Sequence, residues 1–154
     1  MPFSVGAATL TRVPYFDVPL EAAVAGLTAE QVRAVPWAQP VWAADGMVVI
    51  GQAVWVIESA GRVIVVDPCG AADAFIRTGP AAVEHQDAVI GALDTAGFSR
   101  ERVDAVFLSH LDGIGMTAIV DADGWWSPTF PHARILVTGA ELDWVASAPA
   151  SSLQ

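Results

Sequence analysis

Lysine is absent from this chain of 154 residues, and its seven basic residues are all arginine. Set against 17 acidic residues, they leave a net charge of −10. That balance excludes a nucleic-acid binder, because neutralising phosphates takes clustered cations; the charge serves solubility. Cysteine occurs once, at Cys69, so no internal disulfide can form, and a reducing compartment is expected. Long apolar runs are missing too. The longest strongly apolar stretches, Ala53 to Ile57 and Val63 to Val66, fall far below the roughly 18 residues of a membrane span. No basic segment followed by an apolar core opens the chain, which reads as no signal peptide and makes the cytoplasm the default location. There is no internal repeat and no low-complexity segment. What is abundant is apolar character, 54% of residues with a mean hydropathy of +0.49, much of it alanine. The length suits one domain with a real core.

Along the chain, Met1 to Arg12 carries little periodic signal. Val13 to Leu20, with two prolines, reads as an irregular arm. Thr28 followed by Gln31 has the spacing of a capping box and predicts a short helix that stops before Pro36. Ala38 to Asp45 reads as loop or edge, with Trp37 and Trp42 as core plugs. Met47 to Ile50 and Ala53 to Glu58 are strand-like runs. Ala60-Gly61 is a turn and Arg62 to Val66 returns, a hairpin or meander closed by Asp67-Pro68-Cys69-Gly70. Asp67 reads first as a carboxylate accepting backbone N–H bonds in that turn. Cys69 has no base placed beside it and reads as a packed, inert thiol. Pro80 to Ala96 predicts a helix with Val83, Val89, Ile90, Leu93 and Ala96 on its apolar face, Gly97 as its C-cap and His85 on the surface. A strand, a helix and a strand in succession form a βαβ crossover, hence a parallel pair. Ile135 to Val137 reads as a short strand, Ala140 to Ala146 as a helix with Trp144 facing in, and the last seven residues as a frayed tail.

The stretch that organises the rest is Val103 to Met116. Its apolar run to Leu108 reads as a central, buried parallel strand with both faces covered. Ser109, His110, Asp112, Gly113 and Gly115 follow at its C-terminal end, the rim where α/β sheets bind ligands. His110 and Asp112 can be read as metal ligands or as part of a turn cornered at Asp112-Gly113. Spacing alone favours the turn, because one His and one Asp do not complete a metal site.

This stretch resembles the metallo-β-lactamase-fold hydrolases, whose signature is a buried strand, then Ser/Thr-His-x-His-x-Asp-His, then Ile/Val-Gly. Ser109 and His110 match its start, Asp112 its Asp, and Ile114-Gly115 its end. Two residues are missing between Leu111 and Asp112, the second His among them, and Gly113 stands where the last His belongs. Val66-Asp67-Pro68-Cys69-Gly70 is similar to the family's Val-Asp-Thr-x-x-Gly segment, whose Asp supports the metal site from its edge. Asp123-Gly124 through Thr129-Phe130-Pro131 to Arg134 is similar to the lactonase and organophosphate-hydrolase branch, with His132 at a variable position and so not a ligand.

The resemblance runs from about Pro36 to Trp144 and implies an α/β (α+β) fold, the N-terminal half of an αββα sandwich. Its sheet is mixed, antiparallel early, with helices on one face. It implies an arm and short helix over 1–35, a half-domain over 36–147 and a tail over 148–154. It implies His110 and Asp112 as metal ligands, with Asp67, Ser109 and Gly115 in support. Zinc is implied by the family, but a catalytic site takes about three protein ligands plus water, so zinc here is expected weak or absent. No catalytic residue is assigned. After Trp144 there is no room for a second sheet, which would leave an apolar face uncovered. Two readings follow: a remnant or interaction module, its face covered in a homo-oligomer or by a partner chain; or a zinc-dependent hydrolase of ester, lactone or phosphoester bonds.

Overall fold

The computed structural model describes residues 2–19, 24, 26–39, 43, 47–68, 80–109, 118–120 and 125–147. Among the described residues eight strands run in chain order: β1 (Phe3–Val5), β2 (Ala8–Pro19), β3 (Val49–Ser59), β4 (Arg62–Val66), β5 (Ala105–Leu108), β6 (Ala118–Val120), β7 (Trp126–Pro128) and β8 (Arg134–Val137). The helices are α1 (Ala29–Arg33), α2 (Pro80–Thr95) and α3 (Gly139–Ser147), with 3-10 turns at Pro36–Ala38 and Arg100–Arg102. Six strands form one sheet in the order β1-β2-β3-β4-β5-β8, and β6 pairs with β7 in a separate ribbon. The β1–β2 and β3–β4 pairs are antiparallel, whereas β4–β5 and β5–β8 are parallel. This is the mixed α/β sheet, antiparallel early, that the sequence leads one to expect.

The chain divides into two compact units, one of Met1–Pro14 with Ala53–Gln154 and one of Tyr15–Gln52. In the first unit, β3 and β4 are joined by Ala60 and Gly61, at φ 49° and 74°. Two successive left-handed residues make the tight turn whose twist suits a hairpin. The helix α2 ends as its sequence predicts. Gly97 takes φ +89°, its N–H donates to Asp94 O (3.0 Å) and the Phe98 N–H donates to Leu93 O (2.9 Å). These are the two bonds of a Schellman cap. The core holds Val54, Val56, Val63, Val65, Val106 and Leu108 from the sheet, with Val89 and Leu93 from α2. In the second unit, the Thr28 hydroxyl accepts from the Gln31 N–H (3.2 Å) and Gln31 Oε1 accepts from the Thr28 N–H (2.8 Å). The predicted capping box is therefore formed, and α1 buries Val32 beside Ala43.

Several expectations are corrected. The supposed irregular arm is part of the twelve-residue strand β2. Its prolines, Pro14 and Pro19, fall beyond the Ala8–Leu10 segment that pairs with β1, where one side of the strand needs no donor. Met47 to Ile50 and Ala53 to Glu58 merge, from Val49 on, into the single strand β3. Trp37 is 79% exposed and plugs no core, and Trp144 on α3 is exposed rather than inward. β5 is not central, since only β8 lies beyond it in the described sheet, and its two faces are unequally covered: Val106 and Leu108 are buried, Ala105 is half-buried and Phe107 is 36% exposed. An all-apolar strand hides the alternation that would reveal an open face. Among the described residues no helix is long and apolar enough to cross a membrane. Trp42, Cys69, Asp123 and Gly124 lie outside the described residues, as do the side chains of Val83 and His85.

Candidate functional site: the C-terminal rim of β4 and β5

Parallel pairing of β4 with β5 brings their C-terminal ends side by side, Val66 opposite Phe107. The ladder runs one step further, with the Asp67 N–H donating to Phe107 O at 2.9 Å. There Asp67 adopts φ 44°, a left-handed conformation that few residues other than glycine, Asn and Asp take readily. This turn breaks the strand's alternation and brings the carboxylate to Ser109, the first residue past β5. Asp67 Oδ1 accepts the Ser109 backbone N–H and Oδ2 accepts the Ser109 hydroxyl, both at 2.7 Å. Pro68, fully buried, fixes the chain just behind. One carboxylate thus holds both donors of the residue that leads into His110.

Asp67 and Ser109, singled out separately in the sequence, are therefore brought together. The backbone bond expected of Asp67 exists, but it reaches across to the neighbouring strand instead of staying in the local turn. His110, Asp112 and Gly115 lie outside the described residues. His132 is exposed in the turn before β8. Thr129 and Phe130 are both buried, and Thr129 Oγ1 has no hydrogen-bond partner among the described residues.

Zinc asks for about three protein donors and an open position. Among the described residues no three His, Cys, Asp or Glu side chains converge, and both oxygens of Asp67 are engaged by Ser109. What the described part of the rim does is hold Ser109, the residue that precedes His110 in the chain.

The opposite end of the sheet has a second bracing carboxylate that the sequence reading missed. Asp104 accepts from the Val63 N–H (2.9 Å) and from the Arg62 guanidinium (2.8 Å), while its own backbone bonds Val63 O and the Arg134 N–H. It ties the starts of β4, β5 and β8 together. The Val63 N–H foremost, and then Arg62, hold its carboxyl below the usual aspartate range. The available signal was an Asp placed just before an apolar strand, a frequent pattern with low specificity.

No sequence-defined protein family matches the chain, and no curated protein does. Solved structures do. AidC, a dizinc quorum-quenching lactonase, superposes with a TM-score of 0.66 at 19% identity, over 97% of this chain and 48% of its own. The fold is that of the metallo-β-lactamase superfamily. AbOPH, a hydrolase of the β-lactamase superfamily, gives 0.64 at 19% identity, over 99% and 50%. A probable metal-dependent hydrolase from Staphylococcus aureus gives 0.59 at 12%, over 97% and 53%. The chain spans about half the length of these metallo-β-lactamase-fold structures. The fold is the one that the Asp67, His110 and Thr129-Phe130-Pro131 segments resemble.

Proposed function

We propose that this chain is a metallo-β-lactamase-fold module that does not catalyse hydrolysis on its own and acts by association, as a remnant or interaction module of that fold. The observation that carries this reading is the sequence that follows Ser109, the residue that Asp67 holds at the rim of β4 and β5. That segment has two residues fewer than the family signature and keeps one histidine of it, His110. A site restricted to His110 and Asp112 falls short of the three donors that catalytic zinc requires. Trp55, Phe107 and Leu136, which stand in one cross-strand row of the sheet and are each more than a third exposed, support association as the alternative employment of the fold.

A second reading keeps a specific support. Two of the structural neighbours are named as a dizinc lactonase and a hydrolase, and the Asp67–Ser109 brace leads straight into His110. On that reading His110 and Asp112 hold zinc, and a metal-activated water attacks an ester, lactone or phosphoester. Native mass spectrometry of the purified chain with and without zinc, run beside a lactone and phosphoester hydrolysis screen, separates the two. The expected result is a metal-free chain without turnover. Zinc held tightly and lost on His110→Ala would overturn the non-catalytic reading.

A further inference from the structure

We draw no further inference here: the strongest candidate, the open groove between β2 and the C-terminal turn of α2 lined by Val13, Pro14, Gly91, Ala92 and Thr95, carries nothing because nothing in the structure shows what covers it.

Discussion

Replacing Asp67 tests the brace at the rim most directly, because two different physical terms rank the substitutions. The carboxylate accepts two short bonds from Ser109, and the residue sits at φ 44°. Asp67→Ala removes both acceptors and puts a Cβ-bearing residue without a helpful side chain into the left-handed region. A hydrogen bond to a charged group contributes about 1.5–3 kcal/mol when buried. Ser109 is exposed, so water takes up part of the loss, and about 1 kcal/mol for the pair is reasonable. The left-handed conformation adds about 1 kcal/mol for Ala, giving a total near 2 kcal/mol. Asp67→Asn keeps Oδ1 for the Ser109 N–H, offers an N–H to the hydroxyl oxygen, and tolerates the backbone. It should cost about half as much. Asp67→Gly loses both bonds but no conformational ease, and should fall between the two. Urea unfolding followed by tryptophan fluorescence reads the series. A double-mutant cycle with Ser109→Ala should return a coupling of about 0.5–1 kcal/mol. An Asn variant as unstable as the Ala variant, or a coupling of zero, would refute the claim that this carboxylate holds Ser109.

Three further outcomes are expected. Asp104 has its folded pKa lowered, so its contribution is present above the unfolded value, near pH 3.9, and is lost as pH falls through the folded value. The urea midpoint of the native chain should therefore decline below about pH 4, and Asp104→Asn should flatten that decline; an unchanged acid limb would count against the Asp104 bonds. Gly97→Ala should destabilise by about 1 kcal/mol because φ is +89° there, whereas Gly91→Ala, inside α2 with open space at its Cβ, should stabilise by about 0.5–1 kcal/mol. Thermal unfolding of the pair by circular dichroism would show the opposite signs. Leu93→Ala removes a fully buried side chain from α2 and should cost about 2–5 kcal/mol in the same urea assay.

How far the sequence spoke depends on whether the signal was local. The Thr28–Gln31 capping box, the Ala60-Gly61 turn and the Gly97 cap were all legible, because each is set by backbone needs within a few residues. The βαβ crossover from β4 through α2 to β5 was legible for the same reason, since strand and helix periods differ sharply. Asp67 and Ser109 could be picked out one by one, but their bond could not. It spans 42 positions and exists only because two parallel strands end together. Asp104 was missed for a related reason: its partners Arg62 and Val63 lie on another strand.

The misread residues carry the more general lesson. Trp37, Trp144 and Phe107 were all expected inside and are all exposed. Hydrophobicity in a sequence records what a side chain prefers, whereas burial also requires that something be there to cover it. In β5 the two come apart within one strand. Val106 faces the core while Phe107, equally apolar, faces outward beside Leu136. A strand that had evolved to meet water on that face would alternate with polar residues, as antiparallel sheets with a wet side do. The apolar character of both faces of β5 is therefore itself a statement about cover. It fits a sheet face that spends its time against another surface, and it makes the identity of that surface the next thing to establish about this fold.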